Sequence, residues 1–172
     1  MAEIIIIDPI GGPTSTVRCG LFNNALSEYS TISGGKRNDA TQTSRYTSIG
    51  GGVKNTSSCF YGTIAGGFSN CVRNPYGTIG GGRENSALSC YATVVSGFRN
   101  TSFGDYTFIG SGSGNTSFSS NGGVITGIQN RNLGKTSVIL GGVNNTLVHN
   151  CSSLLGGCKN FVTCNHSLIG NG

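Results

Sequence analysis

Two histidines and two cysteines near the C-terminal end have the spacing of a metal site. His149 and Cys151 are two residues apart, and Cys164 and His166 repeat that spacing one period of fifteen residues later. If residues fifteen apart lie one above the other, the four side chains cluster, and imidazole and thiolate are ligands that zinc and iron accept. The alternative, which we favour, is that a repeated unit diverges here. The sequence predicts no other cofactor.

Other short motifs that suggest chemistry lack the context that the chemistry needs. Gly134-Lys135-Thr136 ends like a phosphate-binding loop, but Gln129 stands where its first glycine belongs and no helix is predicted after it. The acidic residues are Glu3, Asp8, Glu28, Asp39, Glu84 and Asp105. No two of them are placed to act on one bond as in a glycosidase. We therefore expect a protein that is not an enzyme.

The composition is too poor in apolar residues for an ordinary globular core. Of 172 residues, 35% are hydrophobic and 10% are charged, and the chain contains 30 glycines and no tryptophan. A domain of this length normally buries a large mixed core of aliphatic and aromatic side chains. Because Ile, Val and Tyr nevertheless recur and charge is low, the composition does not favour a disordered chain either. A fold built by repetition remains.

A unit of fifteen residues recurs from residue 14 to residue 172. The aligned units begin at residues 14, 29, 46, 61, 76, 91, 106, 121, 136, 151 and 166. The unit 29–45 carries two extra residues in its second half, and six units begin with tyrosine. The eleventh unit stops at its seventh position, Gly172, so we expect the protein to continue beyond it.

Three positions of the unit hardly vary, and each has a physical explanation. Position 4 is always aliphatic and is predicted to form the core. Position 7 is always glycine, which suits a corner with positive φ or a close approach of two backbones. Position 10 is asparagine in every unit that reaches it, and stacked amides can hydrogen bond as a ladder. Representative members are Ile49, Ile64 and Ile79, then Gly52, Gly67 and Gly82, and then Asn55, Asn70 and Asn85.

The unit predicts one turn of an all-β parallel β-solenoid, because fifteen residues are too few for a strand and a helix. We expect a strand over positions 1 to 5, a glycine corner, and a second strand around positions 11 to 13, with Leu88, Phe103 and Phe118 at position 13. Turns about 4.8 Å apart give eleven turns a length of roughly 50 Å. One aliphatic column makes a thin core, so we expect several chains to associate.

The run of Y-x-x-I-x-G-G-x-x-N units over residues 14–172 resembles the head repeats of trimeric autotransporter adhesins. It is also similar to the GGG-x-x-N-x-A-S-G-x-Y repeats of bacteriophage tail fibres, notably those of cyanophages. The resemblance implies a left-handed β-roll packed as a homotrimer, with a role as the stalk or tip of an attachment fibre. Other virion or baseplate proteins and a host-surface glycan are the partners that it implies. The chain departs from the adhesins in its seven cysteines and in showing no anchor or coiled-coil stalk.

The cysteines and the N-terminal residues favour a virion protein over a secreted adhesin. The number of cysteines is odd, and no two occupy the same position on adjacent turns, so no disulfide ladder is predicted. Residues 1–13 lack the basic region and the long apolar run of a signal peptide, and we expect them to form a leader, a cap or a junction. We therefore expect a phage tail-fibre segment, assembled in host cytoplasm without membrane insertion. A bacterial surface adhesin is the alternative.

Three recurring surface positions leave further interpretations open. Basic residues at positions 8 and 9 give solubility, which we favour, or a weak attraction to anionic glycans, and are too sparse to predict nucleic-acid binding. They are Lys36, Arg37, Lys54, Arg83, Arg99 and Lys159, in a chain of net charge +5. The tyrosines at position 1 predict packing rather than a platform for sugars. An ice-binding solenoid is a further alternative, but its Ser and Thr array at position 3 breaks at Phe108.

Overall fold

A computed structural model describes residues 14–41 and 44–172 of the chain. In that part of the chain each of the ten complete turns contributes two short strands, the last partial turn contributes one, and there is no helix. The strands are β1 (Thr16–Val17), β2 (Asn24–Ala25), β3 (Thr31–Ile32), β4 (Asp39–Ala40), β5 (Ser48–Ile49), β6 (Thr56–Ser57), β7 (Thr63–Ile64), β8 (Cys71–Val72), β9 (Thr78–Ile79), β10 (Ser86–Ala87), β11 (Thr93–Val94), β12 (Thr101–Ser102), β13 (Phe108–Ile109), β14 (Thr116–Ser117), β15 (Gly123–Val124), β16 (Arg131–Asn132), β17 (Val138–Ile139), β18 (Thr146–Leu147), β19 (Ser153–Leu154), β20 (Phe161–Val162) and β21 (Leu168–Ile169). The predicted N-terminal leader, residues 1–13, lies outside the described residues.

The strands form two parallel sheets in which each turn pairs with the next. The odd-numbered strands make an 11-stranded sheet and the even-numbered strands a 10-stranded sheet. Each residue pairs with its equivalent in the following unit, as Ile64 pairs with Ile79. Isolated parallel bridges join position 8 of successive turns from Leu21 to Cys158, which makes a third line of pairing. The predicted all-β parallel β-solenoid is confirmed.

The core consists of two columns of inward-facing side chains. At position 4, every side chain from Ile32 to Leu154 is fully buried. Position 12 supplies the second column, and its buried members are Ala25, Ala40, Ser57, Val72, Ala87, Ser102, Ser117, Asn132, Leu147 and Val162. Position 13, where the sequence places recurring Leu and Phe within the predicted second strand, faces outward, since Phe103 and Phe118 are each 41% exposed. Side chains alternate along a strand, so position 12 faces inward and its neighbour faces outward.

Two corners of the turn have left-handed backbone at residues other than glycine. The strand predicted over positions 1 to 5 is confined to positions 3 and 4, because position 1 has positive φ, as at Tyr76 (61°). Position 9 is also left-handed, as at Glu84 (57°). At position 7 both explanations for glycine hold: Gly82 has φ of 86°, and a Cβ there would collide with the carbonyl oxygen of Gly97. The glycine corner is therefore one of three sharp bends in each turn.

The two extra residues of unit 29–45 leave the register intact on either side. The Ser44 hydroxyl donates to the Ser27 hydroxyl at 2.9 Å, and both residues are at position 14. Arg45 Nε lies 3.1 Å from Glu28 Oε2, and both of these residues are at position 15. The N–H of Tyr46 then donates to the Glu28 carbonyl at 3.2 Å. The stacking of equivalent positions therefore resumes before the next turn begins.

Candidate functional site

The structure does not bring the four predicted metal ligands together. Among residues 14–41 and 44–172, no group of three or more His, Cys, Asp and Glu side chains could hold a metal ion. His149 and Cys164 occupy position 14, where His149 is partly buried and Cys164 is exposed. Cys151 and His166 occupy the left-handed corner at position 1 and are exposed.

All seven cysteines are free. Cys19, Cys151, Cys158 and Cys164 are exposed. Cys59 is buried, with its sulfur 3.9 Å from the Ser57 hydroxyl, and this burial raises the pKa of the thiol. No disulfide therefore links one turn to another among these cysteines.

The asparagines at position 10 form a ladder that joins each turn to its neighbours. Asn85 is fully buried, and its Nδ2 donates to the carbonyls of Gly81 and Gly97, both at 2.9 Å. Its Oδ1 accepts from the backbone N–H of Asn100 at 3.0 Å. The amides therefore bond mainly to backbone. Direct amide-to-amide bonds occur at Asn38, Asn145 and Asn160.

The six tyrosines at position 1 form a continuous stack of rings. Neighbouring centroids are 4.6 to 5.0 Å apart, and the rings are inclined by 3 to 6°. The side chains are 43% exposed at Tyr91 and 59% exposed at Tyr106. Because each inner ring covers the faces of its neighbours, the exposed part is the ring edge with its hydroxyl. Such a column stabilises the stacking of turns, and its four inner rings offer no free face to a sugar.

Positions 8 and 9 of turns two to six form a surface that we call the basic ridge. Its charged and aromatic members are Lys36, Arg37, Lys54, Phe68, Arg83, Glu84, Phe98 and Arg99. The Arg83 guanidinium lies between two phenyl rings, 5.5 Å from the Phe68 centroid and 5.4 Å from that of Phe98. Arg99 lies 4.7 Å from the Phe98 centroid, and Lys54 Nζ lies 5.8 Å from that of Phe68. The ridge is therefore an ordered row of cations and aromatic rings.

Glu84 ties two arginines of the basic ridge together. Its Oε1 lies 2.9 Å from Arg83 Nε, and its Oε2 lies 2.6 Å from Arg99 Nε. The hydrogen bonds from Arg99 and Arg83 lower the pKa of this carboxyl. Asp39, the acidic residue nearest in sequence to Lys36 and Arg37, lies at position 11 and is partly buried, which raises its pKa. The sequence indicated the cations but not this arrangement, although Phe68, Arg83 and Phe98 follow one another at the fifteen-residue spacing.

The outward face of the odd-numbered strands changes character along the chain. Toward the C-terminal end it exposes apolar side chains at positions 3 and 5, namely Val95, Phe108, Ile125, Leu140, Leu155 and Leu168. Gly123 leaves a gap between Phe108 and Val138, where a groove of about 210 Å³ opens. Small residues such as Thr63, Ala65 and Thr78 occupy the same positions in earlier turns. This apolar face interrupts the array that an ice-binding surface would need.

These features define the class of the chain as a parallel β-solenoid repeat protein. No protein-family model matches it, and no curated protein is significantly similar to it. The described residues contain no helix with the length and apolar character needed to cross a membrane.

Proposed function

We propose that the chain is a rod-shaped segment of a homotrimeric attachment fibre, and specifically of a phage tail fibre. The observation that carries this proposal is the apolar outward face of the later odd-numbered strands, from Val95 to Leu168, on a solenoid whose turns keep one register. A soluble monomer rarely leaves a continuous apolar strip along one face. Association of identical chains covers such a strip, and closed symmetry limits the number of chains.

The thin core supports the same proposal. Seven of the ten side chains in the inward column at position 12 are alanine, serine or asparagine, and only Val72, Leu147 and Val162 are larger aliphatic residues. Each turn therefore buries little apolar surface of its own, and a second buried face adds to the stability of the stack. The resemblance to trimeric adhesin heads and phage tail fibres supports three as the number of chains.

The free cysteines support assembly in a reducing compartment, such as the cytoplasm of a bacterial host. Extracellular domains with thin cores commonly use disulfides to stabilise the fold. Here seven thiols are unpaired, four of them exposed. A virion protein that folds before release from its host fits this state better than a secreted surface adhesin does.

Sedimentation equilibrium of the purified protein tests the assembly. We expect a mass three times that of the 17.6 kDa chain and rods in negative-stain electron microscopy. Ile125→Ser and Leu140→Ser together are expected to shift the protein to monomer, while Leu21→Ser and Phe22→Ser, which remove exposed apolar side chains elsewhere, leave the trimer intact. A monomeric wild-type protein would contradict the proposal.

Competition with phage adsorption tests the attachment role. Excess purified protein is added to bacteria before tailed phages, and the fraction of unadsorbed phage is measured. With a phage whose fibre contains this chain, we expect the wild-type trimer to raise the fraction of unadsorbed phage. The monomeric double variant is expected to raise this fraction less, since a fibre gains avidity from several chains. Equal adsorption with and without the protein on every host tested would contradict an attachment role.

A further inference from the structure

The basic ridge has more order than a solubilising surface requires. We propose that it binds an extended anionic glycan that lies along the rod, with the carboxylate or sulfate groups of the glycan contacting the arginine and lysine side chains. This inference rests on the proposed attachment role and names the class of ligand for it. Four features of the ridge support it: alignment along the rod, fixed guanidinium groups, unpaired cations and an open flank.

The first feature is the alignment of the donors along the rod. Parallel bridges join Lys36, Val53, Phe68, Arg83 and Phe98 in one line at position 8. The left-handed residues of position 9, among them Arg37, Lys54 and Arg99, form a second line beside it. Turns repeat about every 4.8 Å, so two turns span about 9.6 Å, close to the length of a disaccharide in an extended glycan. An extended polyanion along the rod therefore meets cations on turns two, three, five and six.

The second feature is the fixed orientation of the two arginines. Phe68 and Phe98 cover the two faces of the Arg83 guanidinium, and Phe98 also contacts Arg99. Glu84 contacts only the Nε atom of each arginine in these ion pairs, which leaves the terminal Nη groups to other acceptors. The Nη groups of a guanidinium can donate two parallel hydrogen bonds to the two oxygens of one carboxylate or sulfate group. Donors that are already fixed lose less side-chain entropy when a ligand binds.

The third feature is a surplus of positive charge. The ion pairs among the described residues use Arg45, Arg83 and Arg99, and none uses Lys36, Arg37 or Lys54. These three exposed cations lie on two adjacent turns. The ridge thus holds five cations and a single carboxylate, and its unpaired end is free to contact the acidic groups of a ligand.

The fourth feature is an open flank beside the ridge. Position 6, next to the glycine corner, is glycine in turns two to five, and a Cβ placed on Gly66 or Gly81 would meet no atom within 4 Å. Bare backbone therefore borders the cations. A sugar ring can lie against this flank without displacing any side chain.

The aromatic rings of the ridge favour a glycan over a single-stranded nucleic acid. Proteins that bind single strands stack bases on exposed aromatic faces. Here Lys54, Arg83 and Arg99 already lie over the rings of Phe68 and Phe98. The rings serve to hold cations in place, and the acidic groups of a glycan need no stacking surface.

Binding to four immobilised polymers tests the proposal: heparin, polygalacturonate, neutral dextran and a single-stranded oligonucleotide. We expect the wild-type protein to bind heparin and polygalacturonate, not dextran, with an affinity that falls by at least about tenfold between about 50 and about 200 mM NaCl. A variant with Lys36→Ser, Arg37→Ser and Lys54→Ser is expected to lose at least about tenfold in affinity, because it removes three of the five cations that contact the polyanion. Serine already occurs on both lines, at Ser69 and Ser113.

A charge-matched control variant carries Arg18→Ser, Arg73→Ser and Lys135→Ser, which removes the same charge from positions outside the ridge. We expect its affinity to stay within about twofold of the wild-type value, since screening limits the reach of distant charges. If the control loses as much affinity as the ridge variant, net charge alone explains the binding and the proposal is overturned. Tighter binding of the oligonucleotide than of both glycans overturns it as well.

A pair of substitutions on the open flank gives an independent test. Gly81→Glu adds a carboxylate beside the ridge, and Gly81→Gln adds a side chain of the same shape without charge. We expect Gly81→Glu to lower the affinity for polygalacturonate by about tenfold through like-charge repulsion, and Gly81→Gln to change it by less than about twofold. Equal affinities of the two variants would refute the proposal. Thermal melting followed by circular dichroism verifies that every variant is folded.

Glycan binding by the ridge and assembly of the fibre can be tested separately. A trimeric protein that blocks phage adsorption but binds neither heparin nor polygalacturonate overturns only the glycan site. A monomer that binds both polyanions through the ridge overturns only the fibre assembly.

Discussion

The side-chain oxygen of Asn85 accepts a hydrogen bond at 3.0 Å from the backbone N–H of Asn100, one full turn later. The Nδ2 of Asn85 in turn donates to carbonyls of its own turn and of the next, at Gly81 and Gly97. One buried amide therefore satisfies three backbone groups in two turns. In a repeat protein each unit contacts only its neighbours, so these bonds are part of the interface between units.

Asn85→Ala is expected to destabilise the solenoid by about 2 to 4 kcal/mol, because it leaves buried backbone groups without partners, and each such group costs about 1 to 3 kcal/mol. Urea denaturation followed by circular dichroism measures the change. Asn24→Ala is the control, since Asn24 is half-buried at position 11 and lies outside the ladder. Equal losses for the two variants would show that the ladder adds nothing specific.

Gly82→Ala is expected to cost more than about 2 kcal/mol, through left-handed strain of about 1 to 3 kcal/mol together with the collision with Gly97. Gly81→Ala is the matched control one residue earlier, where a Cβ meets no atom and φ is not positive. This control is expected to be neutral or to stabilise the protein by up to about 1 kcal/mol, by restricting the unfolded chain. Thermal unfolding of the pair measures the difference. A Gly82→Ala protein as stable as the wild type would contradict the close approach of the two turns.

Ile79→Ala is expected to destabilise the protein by about 2 to 5 kcal/mol, as is usual when a fully buried aliphatic side chain is removed. The small Ala87 in the facing column cannot fill the cavity. Leu88→Ala, at the outward position 13, is expected to cost about 1 kcal/mol or less. Chemical denaturation of both variants therefore tests which side of the second strand faces the core. The reverse order of the two losses would place position 13 inside.

Glu84 is expected to make the free energy of unfolding depend on pH. Because its arginine partners lower its folded pKa, its contribution is complete above the unfolded value of about 4.3 and is lost as the pH falls through the lower folded value. Urea denaturation of the wild type and of Glu84→Gln at pH 7 and at pH 3 measures the contribution of Glu84 to stability at each pH. We expect the wild type to be more stable at pH 7 and the difference to shrink at pH 3 and in high salt. A difference that stays the same at both pH values would exclude the ion pairs as its source.

Much of this architecture was predictable because it depends on residue types that allow few alternatives. A glycine at position 7 of every unit and an aliphatic side chain at position 4 indicate a corner and a core, and both lie where the fifteen-residue repeat predicted them. The inward column at position 12 was not predictable from hydrophobicity, since it contains Ala87, Ser102 and Asn132 as well as Leu147. Phe103 and Phe118 suggested the wrong column because they stack on each other outside the core, with centroids 4.6 Å apart.

The left-handed corners explain the remaining differences between sequence and structure. Tyrosine, lysine and glutamate seldom adopt positive φ, so positions 1 and 9 gave no signal of a bend. The four candidate ligands His149, Cys151, Cys164 and His166 form no group that could hold a metal among the described residues, and divergence of the repeated unit remains the interpretation that we favour. The basic ridge was partly predictable: the cations were evident, but the contacts of Arg83 with two rings depend on the shape of the corner.

The intact register across unit 29–45 has a practical consequence for protein engineering. This unit is two residues longer than the others, and the Ser44 hydroxyl still donates a hydrogen bond to the Ser27 hydroxyl in the preceding turn. The segment between positions 13 and 14 is therefore a tolerant insertion point that recurs in every unit. Epitopes or enzymes grafted there would be displayed at regular intervals, on a scaffold whose spacing is set by hydrogen bonds between backbones.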